Sequence, residues 1–184
     1  DAPSVTFTQS TVTVLEDVGV QTVSSFATFS PGPANESSQT LVGYTVTVDN
    51  AGLFSTAPAV DNNGQLTFTV AADSNGLATV TVVVQDNGGA GLAPTGLKPQ
   101  GALPSSGVDK STNTFVISVT PVNDAPSVTF AQSTVTVLED VGAQTVPSFA
   151  TFSPGPANES SQTLVGYTVT VDNAGLFSTA PAIG

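Results

Sequence analysis

Residues 1–60 return, almost letter for letter, as residues 124–183. Only four positions differ: Thr8/Ala131, Val20/Ala143, Ser24/Pro147 and Val60/Ile183. The offset of 123 residues is too long for a solenoid unit, which runs at about 20–50 residues. It suits a whole domain, of about 100–150 residues. The repeat therefore predicts a complete domain over 1–122, a linker over 123–126, and the N-terminal half of the next domain over 124–184. The chain reads as an excerpt from a tandem array. The strands absent from its second half are expected from another copy or from a longer polymer.

Within one period the apolar residues alternate. Ser10–Leu15 (STVTVL), Gly43–Val48 (GYTVTV), Gln65–Val70 (QLTFTV) and Thr79–Val84 (TVTVVV) carry the period of half-buried strands. Asn113–Val119 does the same, and residues 4–8 and 22–29 complete a set of seven. No stretch has a helical period. Asn62-Asn63-Gly64, Ser74-Asn75-Gly76 and Asp86-Asn87-Gly88 supply turn residues that favour positive φ. Short strands at this spacing predict an all-β fold: an antiparallel seven-stranded sandwich of immunoglobulin-like size, in tandem repeats. Residues 87–111 interrupt the rhythm. A connection that long is either mobile or functional, so it is one candidate recognition loop.

Fourteen acids face two bases, Lys98 and Lys110, for a net charge of −12. That balance repels phosphate backbones and anionic headgroups, and so argues against nucleic acid and membrane surfaces as partners. No apolar run approaches the roughly 20 residues of a membrane span. With neither cysteine nor histidine, the chain has no disulfide staples and no thiolate or imidazole metal site.

The acids stand at strand ends. Glu16 and Asp17 follow STVTVL, Glu36 lies in PGPANES, Asp73 in AADSNG, Asp86 in QDNGG, and Asn123-Asp124 at the junction of periods. With the phrases VTVLEDVG (12–19), VTVVVQDNGG (80–89) and VTPVNDAP (119–126), the whole chain resembles the cadherin-like repeats of large bacterial surface adhesins. The resemblance implies calcium between neighbouring repeats. On it, Glu16, Asp17, Asp73, Asn123 and Asp124 match the lower-domain and linker ligands, Asp86 the Asp-x-Gly element, and Glu36 and Glu159 the upper loop. The junction within this chain would join Glu16, Asp17, Asp73, Asn123 and Asp124 to Glu159. Asp1, Glu36 and Asp86 would serve a junction with a preceding repeat. The linker has one Asp where cadherins commonly have two, and Asp73 lacks a partnering Glu; both predict fewer ions.

The chemistry is consistent with that assignment. Calcium takes six to eight oxygens at about 2.3–2.6 Å. Two carboxylates about 6 Å apart repel by roughly 3 kcal/mol at an effective dielectric near 20, so an ion turns a splaying force into a clamp. The competing reading is that Asp, Asn and Gly are what turns require, and that acids keep a surface soluble. Asp61-Asn62-Asn63-Gly64 lacks the distal Glu of a calcium loop and reads as a hairpin turn.

These observations point to a structural repeat of an extracellular surface protein or filament, spacing or presenting an adhesive element. Its partners would be neighbouring repeats or copies of itself. The alternative is a module that binds a glycan, a protein or itself through 87–111. An enzyme is disfavoured, because the usual bases, thiol nucleophiles and anion clamps are missing.

Overall fold

A computed structural model describes residues 1–88 and 108–184. The chain divides into two compact units, Asp1–Val122 and Asn123–Gly184. The fold is all-β, with several sheets. Its helical turns are short 3₁₀ segments, and among the described residues no helix is long and apolar enough to cross a membrane.

The first unit holds nine strands among its described residues: β1 (Ser4–Phe7), β2 (Thr11–Leu15), β3 (Val20–Val23), β4 (Ala27–Ser30), β5 (Leu41–Val48), β6 (Phe54–Val60), β7 (Leu66–Val70), β8 (Gly76–Asp86) and β9 (Lys110–Thr120). One sheet has the order β2-β9-β8-β5, a second β3-β7-β6, and β1 pairs with β4. The expected strand over 22–29 is two strands, β3 and β4, because Ser25 turns the chain with φ +52°. β6 was not foreseen. Pro58 and two register shifts against β7 break its alternation. The pairing is also not wholly antiparallel: β2 runs parallel to β9, with Val12 opposite Ile117. The loop 87–111 falls largely outside the described residues.

Alternation builds the core. In β8, Ala78, Val80, Val82 and Val84 are buried and the residues between them are not. Phe26 sits at the centre, stacked on Phe7 at 5.2 Å and met edge-on by Phe115 at 4.7 Å. Both contacts have favoured aromatic geometries.

The second unit supplies a comparison within one molecule. β10 (Ser127–Phe130) pairs with β11 (Ala150–Ser153) in the register of β1 with β4, and Phe130 stacks on Phe149 at 5.3 Å. The counterparts of β2, β3, β5 and β6 form no strands. The reason is the hydrogen-bond ladder. In the first unit those strands pair with β7, β8 and β9, and residues 124–184 contain no counterpart of that segment. The β1/β4 pairing needs only the first thirty residues and so persists. Burial follows the pairing: Val12 is 4 % exposed and Val135 44 %, while Leu53 is 3 % exposed and Leu176 74 %.

Candidate metal centre

Glu16 extends the inward phase of β2. Val12 and Val14 face the core, and the next position of that phase is Glu16, which is 1 % exposed. Its backbone N–H continues the ladder to the Thr120 carbonyl at 3.0 Å. Oε1 accepts the Val122 N–H at 2.6 Å, and Oε2 accepts Asn75 Nδ2 at 3.3 Å. Beside it, Asp17 Oδ1 accepts the Asp73 N–H at 3.1 Å. Asp17 and Asp73 both have left-handed backbones, φ +63° and +55°. That conformation costs a non-glycine residue roughly 1–2 kcal/mol, eased for Asp by local hydrogen bonds. The turn after β2 and the turn before β8 are thus tied together, and Glu16, Asp17 and Asp73 share one end of the unit.

Asp86 lies at the far end of β8, ten residues on from Gly76, which is about 33 Å of strand. It continues the phase of Val80, Val82 and Val84, and is 2 % exposed. Its Oδ1 accepts the Gly88 N–H at 3.0 Å. The loop holding Glu36 packs here. Asn87 Oδ1 accepts the Thr40 N–H at 2.8 Å, and the Asn87 N–H returns to the Thr40 carbonyl at 3.0 Å. Glu36 Oε1 accepts from the Asp1 nitrogen at 2.5 Å. Asp1 and Glu36 are therefore brought together, and the turn after Asp86 is tied to the same loop at Thr40. Glu36 Oε2, Gln39 Oε1 and Asp86 Oδ2 are buried oxygens without a hydrogen-bond donor.

The second unit repeats the Asp1/Glu36 arrangement. Glu159, 5 % exposed, accepts the Asp124 N–H on Oε1 at 2.6 Å. Asp124 is mid-chain, so the bond belongs to the backbone amide and does not need a terminal ammonium. Asn123 Oδ1 accepts Gln162 Nε2 at 2.9 Å. Glu159 Oε2 is again buried without a donor. Each unit thus fastens its own end of the linker with a buried glutamate: Glu16 holds the amide of Val122, and Glu159 that of Asp124.

The donor set fits a hard cation. Every side-chain group named is a carboxylate or amide oxygen, or an amide that donates to one, and calcium takes oxygens alone. A buried oxygen acceptor that meets no donor calls for water or a cation. Sequence reasoning located the acids but missed Asn75, Gln39 and Gln162. Asn75 reads from sequence as a turn residue. The signal that would have marked Glu16 and Asp86 as buried was their phase: each continues a run of inward-facing valines.

Asp61-Asn62-Asn63-Gly64 is a hairpin turn between β6 and β7. Asp61 Oδ1 accepts the N–H groups of Asn63 at 2.9 Å and Gln65 at 2.8 Å. The Gln65 bond is the main reason its carboxyl stays below its ordinary range.

Against family models, curated proteins and solved structures, the chain finds no match.

Proposed function

We propose that this chain is a stretch of a tandem array of cadherin-like, immunoglobulin-like β-sandwich repeats in an extracellular surface protein or filament. Calcium stiffens its junctions. The carboxylates at the end of one repeat, Glu16, Asp17 and Asp73, act with Asn123, Asp124 and Glu159 at the start of the next. Asp1, Glu36 and Asp86 have the same part at the other end of the first repeat.

The observation that carries this reading is the fastening of the linker by Glu16 and Glu159. Two buried carboxylates are committed to backbone amides two residues apart in sequence. Buried charge is tolerated where it is compensated, and a divalent ion compensates several carboxylates at once. The roughly 33 Å length of β8 gives each repeat substantial reach for its sequence, as a spacer requires. Pro126 fixes one φ within the linker and limits bending.

The test is a melting curve of the full chain with calcium and then with excess chelator. A ligand at a hundred times its dissociation constant stabilises by about 2.7 kcal/mol, so the midpoint should fall clearly on chelation. Superimposable curves would remove calcium from the function.

A further inference from the structure

Gly88 is where the turn after β8 meets the loop of Glu36. A Cβ added there would lie 2.6 Å from Gln39 Cδ and 2.7 Å from Gln39 Oε1, so the Gln39 amide fills the space a side chain would take. The Gly88 N–H in turn donates to Asp86 Oδ1 at 3.0 Å. The Gln39 amide and the Asp86 carboxylate thus flank one glycine. The strands hold them there. Leu41, at the start of β5, is opposite Asp86 at the end of β8, and the two Thr40–Asn87 hydrogen bonds extend that pairing outward by one residue. Glu36 belongs to the same turn as Gln39, because its carbonyl accepts the Gln39 N–H at 2.8 Å. Its carboxylate is pressed against Gly32, where an added Cβ would lie 2.6 Å from Oε2.

Three oxygens at this end of the first unit are buried without a donor: Glu36 Oε2, Gln39 Oε1 and Asp86 Oδ2. A buried acceptor in that state carries its full desolvation cost. Asp86 is 2 % exposed, and among the described residues no lysine forms a salt bridge with it or with Glu36. The loop's half of the arrangement does not depend on the Asp1 nitrogen. In the second unit Glu159 Oε2 is likewise buried without a donor, and a Cβ added to Gly155 would lie 3.0 Å from it.

We propose that Glu36, Gln39 and Asp86 form a calcium site contained within one repeat, with the Gln39 amide oxygen as its neutral ligand. This rests on the calcium reading of Glu36 and Asp86 given above. It adds Gln39, and it needs no ligand from a preceding repeat. Two carboxylates balance one divalent charge. Magnesium demands a near-ideal octahedron and keeps its waters, whereas calcium accepts carboxylate and amide oxygens in irregular shells. Oxygens drawn from one turn and one strand end suit the more tolerant ion. The ion is then part of the repeat itself, bound whether or not a neighbour is docked.

The test is calorimetric titration of the full-length chain with calcium chloride, alongside melting in excess chelator. The variants are made in chain carrying Asp17→Asn and Asp73→Asn, which removes two carboxylates from the other end of the unit. Loss of even an outer-shell partner costs about 10–100-fold in metal affinity. Gln39→Met keeps the length and loses the oxygen, so it should weaken calcium binding by about tenfold or more. Gln39→Glu keeps the oxygen and adds a charge. It should tighten calcium binding several-fold and lower the melting midpoint in chelator.

An amide that merely braced the turn would give the lower midpoint without the tighter binding, and that result overturns the proposal. Titrations unchanged by either substitution also overturn it. Gln39→Glu decides the matter if Gln39→Met does not fold. Calcium binding that survives the loss of Asp17 and Asp73 and responds to Gln39 supports the proposal, whatever happens at the junction. Binding by the parent that vanishes with those two carboxylates overturns the proposal and leaves the junction reading standing. A parent chain that binds no calcium overturns both.

Discussion

Glu16 Oε1 accepts the backbone N–H of Val122 at 2.6 Å across 106 residues of sequence. The bond joins the end of β2 to the chain leaving β9, which is also where one repeat hands over to the next. Parallel pairing of β2 with β9 makes this possible, because both strands then finish at the same end. The acid that ends the first of these strands is thereby placed to hold the backbone just past the end of β9.

Removing that acceptor should be costly even without any ion. Glu16→Ala leaves the Val122 N–H and the Asn75 amide without their carboxylate partner. A buried donor left unsatisfied costs about 1–3 kcal/mol. Urea unfolding in chelator should show a loss of that size, with little change in slope. A loss near zero would mean that Glu16 does not organise the linker.

Charge removal at the adjacent turns tests the proposed calcium separately from the fold. Asp17→Asn keeps an oxygen that can accept the Asp73 N–H, so stability in chelator should change by less than about 1 kcal/mol. The increase in melting midpoint on adding calcium should shrink markedly. An unchanged calcium response would exclude Asp17 from the ligand set.

Gly64 is where two layers of backbone nearly touch. Its carbonyl accepts the Ala27 N–H at 2.9 Å, its φ is +76°, and an added Cβ would lie 2.0 Å from the Ala27 oxygen. Gly64→Ala combines a left-handed penalty of about 1–2 kcal/mol with an overpacking penalty of about 1–3 kcal/mol. Gly19 has a similar φ of +71° but open space around it. Gly19→Ala should therefore cost only the left-handed penalty. Equal losses in thermal unfolding would contradict the close approach.

The pH dependence has two edges. Asp49 and Asp61 are held below the ordinary 3.8, chiefly by backbone hydrogen bonds from Thr79 and Gln65 respectively. A depressed folded-state value contributes stability that is present above 3.8 and lost as pH falls below it. Tyr44 is pushed above 10.0, first by burial and then by the charge of Asp61. A raised value contributes stability that is complete below 10.0 and lost as pH rises past it. Urea midpoints should therefore fall on both sides of a neutral plateau. Asp61→Asn should flatten the acid side, and an acid limb identical to that of the parent would refute its role.

Much of the fold was legible because the signal was local. β5, β7, β8 and β9 announce themselves by inward-facing apolar residues at every second position. β6 did not, because its bulges and Pro58 suspend the period. The turn at Ser24-Ser25 was invisible because a serine, not glycine or asparagine, takes the left-handed conformation. The partner of β2 is about a hundred residues away, and nothing local reports a parallel register. The acids were found by their strand-end positions. Their burial was readable only by continuing the phase of Val12-Val14 to Glu16 and of Val80-Val82-Val84 to Asp86. Asn75 and Gln39 were hidden because an amide in a turn is explained by the turn.

The two copies of one phenylalanine give the sharpest stability contrast. Phe26 is fully buried between Phe7 and Phe115. Its counterpart Phe149 stacks on Phe130, in a unit with no counterpart of Phe115. Truncating a buried phenylalanine costs about 3–5 kcal/mol, whereas one stacked pair is worth about 0.5–1.5 kcal/mol. Phe26→Ala should therefore lower the main unfolding transition of dilute full-length chain by about 3–5 kcal/mol, and Phe149→Ala by no more than about 1.5 kcal/mol. Equal losses at high dilution would mean that residues 124–184 build a core unaided, which would contradict the dependence of these strands on β7–β9.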